Sequence, residues 1–95
     1  MADNVNFHNA AAFSSSFSVQ WDGGETGRTE VCDAGESTEM NIASGPHPAE
    51  GTSCWVRAYV YGGPNHDSGR NFTYSAGSGT ESYTISGGTL TPSWN

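Results

Sequence analysis

No stretch of this chain longer than roughly ten residues carries a 3.6-residue apolar repeat free of glycine and proline, so helices have almost nowhere to form. Thirteen glycines and four prolines interrupt the 95 residues throughout. Between them the period is two. Phe13, Phe17, Val19 and Trp21 lie on odd positions with serine and glutamine between them, the pattern of a strand with one buried face. Asp22-Gly23-Gly24 then supplies turn chemistry, because glycine accepts positive φ.

The same reading predicts strands over residues 5–8, 13–21, 28–32, 38–43, 53–61, 71–75, 81–86 and 89–92. Their spacing of roughly 8–12 residues is the rhythm of an all-β domain. Most connections are too short for the crossover that parallel neighbours need, so the expectation is an antiparallel two-sheet β-sandwich of seven to eight strands, Ig-like or jelly-roll-like. It fills a single domain over residues 1–95. The apolar fraction of 34% makes its core thin, and three Trp, four Tyr and four Phe compensate in part.

Charge excludes some partners. Ten acidic residues stand against Arg28, Arg57 and Arg70 with no lysine, a net −7. Nucleic-acid binding needs cations to displace counterions, and anionic membrane surfaces repel such a chain. Neutral or cationic partners remain. No apolar run is long enough to span a bilayer as a helix. Met1-Ala2-Asp3-Asn4 lacks the basic start and apolar stretch of a secretion signal, so the chain as written is expected in the cytoplasm; a secreted mature form fits equally. Cys32 and Cys54, joined, would close a loop worth roughly 3.4 kcal/mol in the chain-entropy model, and a disulfide between them is expected on that ground.

One segment points to function. In residues 53–61 the even positions Cys54, Val56, Ala58 and Val60 are compact, while the odd positions Trp55, Arg57, Tyr59 and Tyr61 are large. Residues two apart on a strand share a face, so each set forms a row. Either row would suit the core. If the compact row is core, the aromatic row faces outward as a contact surface. Sugar rings lie on Trp and Tyr, and their hydroxyls need short polar partners. Asn65, His66, Asp67, Ser68, Arg70 and Asn71 follow in the next loop. The overall composition, acidic, aromatic and rich in Gly, Ser, Thr and Asn, resembles that of small β-sandwich lectins.

The reading is therefore a non-catalytic carbohydrate-binding protein, a lectin or hemagglutinin, with Trp55, Arg57, Tyr59, Tyr61, Asn65, His66, Asp67, Arg70 and Asn71 as ligand-binding residues. Its partners would be glycans or glycoproteins, met as a homo-oligomer because linked shallow sites gain avidity. The alternatives are a protein-interaction or structural module and a lipid-recognising, toxin-like protein that would need a neutral headgroup. No enzyme is expected: Gly77-Ser78-Gly79 lacks the strand-to-helix setting of a nucleophile elbow. No cofactor is assigned. Calcium is the best-suited cation for Asp22, Glu25, Glu30, Asp33, Glu36, Glu39 and Asp67, but their spacing matches no calcium loop. His8, His47 and His66 share no ligand spacing. Asn71-Phe72-Thr73 is a glycosylation sequon, with meaning only for a secreted chain.

Overall fold

Alternation builds the core directly. In the computed structural model, which describes residues 1–94, β1 (Asn4–Asn9) turns Val5, Phe7 and Asn9 inward and β2 (Ser15–Trp21) turns Phe17 and Val19 inward. The rings of Phe7 and Phe17 stack across the middle with centroids 5.0 Å apart and planes 9° apart. They belong to different sheets, so this stack joins the two layers.

The first sheet orders β4 (Ser37–Asn41), β1, β8 (Thr80–Gly88) and β9 (Thr91–Trp94). The second orders β3 (Gly24–Glu25), β2, β5 (Ser53–Val60) and β6 (His66–Asp67), with β7 (Phe72–Thr73) also on β5. A 3₁₀ turn, Ile42–Ser44, follows β4, capped where Asn41 Oδ1 accepts from the Ala43 N–H. The protein is nearly all β and its two sheets pack together, as alternation predicts.

Three expectations are corrected. The described residues form nine strands rather than seven or eight, because β3 and β6 are two-residue elements too short for any periodicity. The first sheet is mixed: β1 pairs with β8 in parallel, Phe7 beside Tyr83, while its other neighbour β4 is antiparallel. Short loops dictate the pairing of consecutive strands only, and these two are far apart in sequence. The strand expected at residues 28–32 is instead an irregular edge. Threonine hydroxyls accept the amides that a ladder would take, Phe17 N–H to Thr29 Oγ1 at 3.0 Å and Val19 N–H to Thr26 Oγ1 at 2.9 Å. Cys32 rejoins β2 only as a bridge to Ser15.

The cysteines are a fourth correction. Both are free and buried. Cys32 lies opposite Ser15 and Cys54 opposite Trp21, at the two ends of β2. At about 3.3 Å per residue that is roughly 20 Å, far beyond the 7 Å limit for a bridge. Sequence spacing carried no information on which end of β2 each would meet. Burial pushes the Cys54 thiol up to about 11 and raises that of Cys32, where the nearby Glu36 charge adds to the effect.

Trp94 closes the core from β9. Its ring meets Phe17 and Tyr83 edge-on, at 6.3 Å and 6.2 Å. Asn9 is one of several polar residues buried inside. Fully buried, it donates through Nδ2 to the Phe13 and Cys32 carbonyls, at 2.7 and 2.9 Å, and its Oδ1 accepts from the Ala11 N–H at 3.0 Å. The last residue of the expected 1–95 domain, Asn95, lies outside the described residues.

Candidate functional site

The compact row of β5 faces the core: Cys54, Val56, Ala58 and Val60 are all buried. The large row faces outward, opposite Gln20, Ser18 and Ser16 of β2. It is not one surface, however, because three different environments divide it.

Trp55 is half-buried beside Gln20. Next to it Arg57 forms a two-pronged pair with Asp67 on β6, Nε to Oδ1 at 2.6 Å and Nη2 to Oδ2 at 3.2 Å. That bond makes the Arg57 proton harder still to remove. Asn71, exposed, donates from Nδ2 to Ser53 Oγ at 2.9 Å on the other side of Trp55. Ser53, Trp55, Arg57, Asp67 and Asn71 thus gather on one outer face, a ring platform with acceptors and donors at its rim.

Tyr59 does not belong to that platform. The irregular edge lays Arg28 over its ring, 3.6 Å from guanidinium carbon to centroid, and only 7% of the residue is exposed. Its hydroxyl donates to Glu25 Oε1 at 2.8 Å and accepts from Gln20 Nε2 at 3.3 Å. The bond from Tyr59 holds the Glu25 carboxyl below its usual range against the opposing cost of burial. His66 and Arg70 also leave the expected cluster. His66 pairs with core-facing Ala58, so its ring turns inward, and its Nε2 is buried without a partner among the described residues. Arg70 reaches to the other sheet, donating to the Ser82 carbonyl at 2.7 Å and lying 4.2 Å over the Tyr83 ring. The Tyr83 hydroxyl donates back to the Arg70 carbonyl at 2.9 Å. Arg70 is a clamp between layers.

Tyr61 stands apart at one end of the domain. It is 58% exposed, just past β5, with its N–H bonded to the Ser14 carbonyl at 3.0 Å. Beside it lies the β8–β9 hairpin tip. A side chain at Gly63 would collide with Thr89, whose carbonyl lies 3.1 Å from that position, so the two loops touch. Leu90 at the tip is 77% exposed. Residues 61–65 and 87–94 contain no Asp, Glu, Lys, Arg or His. In a chain of net charge −7 these two segments are uncharged and partly apolar, with one carboxylate nearby, Asp33, whose Oδ1 accepts from Ser14 Oγ at 2.7 Å. Leu90 falls inside the strand expected over residues 89–92, whereas it lies in the turn between β8 and β9. The signal available was compositional: it is the only leucine of the chain, placed where turns favour polar residues.

The carboxylates considered for calcium do not converge; among the described residues no three His, Cys, Asp or Glu side chains come together as a metal site would require. Nor is any helix among them long and apolar enough to cross a membrane.

No family model matches the chain, and no curated protein matches its sequence. Solved structures do. A Gram-negative toxin superimposes with a TM-score of 0.52 and 15% identity over 97% of this chain and 22% of its own. Pneumolysin gives 0.51 and 13% over the same shares, and listeriolysin O 0.50 and 12%, over 97% of this chain and 21% of its own. The likeness is one of fold. This chain spans about a fifth of the length of those toxin chains.

Proposed function

We propose that this domain is a non-catalytic attachment module, a β-sandwich that meets an uncharged lipid surface with the end carrying Tyr61 and Leu90. One observation carries the reading: two large, exposed side chains sit on touching loops that hold no Asp, Glu, Lys, Arg or His, while the rest of the chain is strongly acidic. Exposed apolar groups clustered this way mark contact sites. Tyrosine suits a lipid–water boundary because its ring is apolar and its hydroxyl wet. The net charge directs the choice toward neutral headgroups, since anionic ones repel it. The fold's likeness to toxin structures agrees with the toxin-like alternative read from sequence.

Flotation with phosphatidylcholine vesicles tests it. The protein should rise with neutral vesicles and stay behind when anionic lipid is added. Leu90→Asp should abolish flotation with little change in melting temperature, because Leu90 makes few contacts to lose. Flotation of Leu90→Asp and Tyr61→Asp at wild-type levels would refute the proposal.

A second reading, glycan binding, keeps its support from the outward platform of Trp55 with the Arg57–Asp67 pair and Asn71 at its rim. A shallow platform of this size gains from repetition, so the glycan reading goes with a homo-oligomer. Trp55→Ala should erase signals on a glycan array while Leu90→Asp leaves them intact. A blank array for the wild-type protein would end this reading and leave the lipid proposal standing.

A further inference from the structure

The side of the molecule away from the β8–β9 hairpin is open, and its chemistry is specific. Among the described residues β4 is an edge strand with β1 as its only neighbour. The bonds flanking it set its phase: the Asn9 N–H reaches the Glu36 carbonyl at 2.9 Å, and the Ile42 N–H reaches the Asp3 carbonyl at 2.8 Å. Backbone direction alternates along a strand, so with the observed register Thr38 and Met40 also bond toward β1. Ser37 and Glu39 then present their amides and carbonyls to the open edge. An exposed row of this kind is a template for another strand.

Two cavities line that edge, between β4 and the irregular segment of the other sheet. The first, about 180 Å³, is bounded by Thr26, Met40, Ile42 and Pro46 among others. Its size suits one apolar side chain, as a cavity of roughly 150 Å³ takes a benzene ring. The second, about 190 Å³, is bounded by Glu30, Val31, Glu36 and Thr38 among others. Its two carboxylates call for a cation. Met40, Thr38 and Glu36 follow one another at two-residue steps, so both cavities are reached from one face of an added strand. From Met40 to Glu36 is roughly 13 Å at strand rise.

We infer that the β4 edge binds an extended, basic peptide segment of a partner protein, which adds as an antiparallel strand with an apolar side chain in the first cavity and a lysine or arginine, four residues later, in the second. The antiparallel sense fixes that order, since the partner runs from Met40 toward Glu36. A second copy of this chain is a poor occupant, because edge-to-edge pairing would bring copies of Glu30, Glu36 and Glu39 together. The inference stands independently of the lipid-facing end.

The test uses the whole chain and the peptide Thr-Leu-Thr-Val-Thr-Lys-Thr-amide carrying fluorescein on its N-terminal amine, read by anisotropy. Leucine, valine and lysine then lie opposite Met40, Thr38 and Glu36. Binding is expected, weakened about tenfold or more when the peptide lysine becomes glutamate. Glu39→Pro should weaken it by a similar factor. Proline there removes an amide that points away from β1, leaving the native ladder in place. Should that variant fail to fold, methylating the amide of the peptide's third residue, which faces the Glu39 carbonyl, removes the same pairing from the ligand side. The inference is overturned by no binding at about 1 mM peptide. It is also overturned by binding indifferent to Glu39→Pro and to the methyl group, or by a peptide-free dimer in sedimentation that Glu39→Pro dissociates.

Discussion

Replacing Asn9 by alanine removes a buried side chain that ties β1 to the loop through Ala11 and Phe13 and to the edge at Cys32. The amide of Ala11 and the carbonyls of Phe13 and Cys32 lose the partners they reach at 3.0, 2.7 and 2.9 Å. A net value of about 1 kcal/mol for each bond gives a loss of about 3 kcal/mol, before any cost of the space left behind. Domains of this size hold only about 5–15 kcal/mol, so the effect is large. Converted through the entropy of unfolding, it lowers the melting temperature by roughly 12–24 °C. Urea titration read by fluorescence would show a lower midpoint with an unchanged slope. A loss under about 1 kcal/mol would refute the argument, because the three backbone groups would then be satisfied without Asn9. Asn9→Asp sharpens the test. Its carboxyl would lie against two carbonyls in a buried site, so its folded pKa rises above the unfolded value of about 3.9. The neutral acid keeps one donor and the carboxylate keeps none. Relative to wild type, this variant should be least impaired below about pH 4, and its deficit should grow as pH rises toward the folded pKa.

Two further outcomes follow from other contacts. Glu25 titrates below its ordinary value of 4.5 chiefly because Tyr59 donates to it, so this pair adds stability above that pH and loses it as pH falls through the lowered value. Tyr59→Phe should move the Glu25 carboxyl resonance titration upward in NMR, and an unmoved curve would show that the hydroxyl is not the cause. The buried thiols should react with dithiobis(nitrobenzoate) only as fast as the chain unfolds, and the protein should migrate identically with and without reductant; rapid labelling at pH 8 would contradict the burial that pushes Cys54 to about 11.

Alternation carried the layers and not their wiring. The strands around Phe7, Phe17, Val56 and Tyr83 are legible because each commits one face to the core over several residues, and period two reports that commitment. Segment 26–32 is illegible in the same terms, since Thr26 and Thr29 give β2 their backbone N–H groups but take its amides on side-chain hydroxyls, an irregular pairing that leaves no periodic trace. The parallel pairing of β1 with β8 is equally silent, because neither strand's own pattern names a neighbour. The candidate site divides along the same line. The outward turn of Trp55 and Arg57 follows from their register against the compact row. The loss of Tyr59 to the stack under Arg28, and of Arg70 to the clamp on Tyr83, depends on segments distant in sequence. Leu90 joins Tyr61 only because two loops meet at Gly63 and Thr89.

The parallel contact between β1 and β8 sets an order of assembly on the ribosome. The second sheet takes its strands from residues 15–73, so all of its strands have been translated before β8 is made. β1 is made before all of these strands yet waits for β8 to supply Ser82, Tyr83 and Thr84 at its side. Until then the stacking face of Phe17 has Phe7 to meet but no Tyr83 or Trp94 to close over it. Chains truncated before Thr80 and released should therefore hold a half-built molecule with an open apolar layer, prone to aggregation. Of the nine strands described, the two translated last, β8 and β9, are the ones that seal the core.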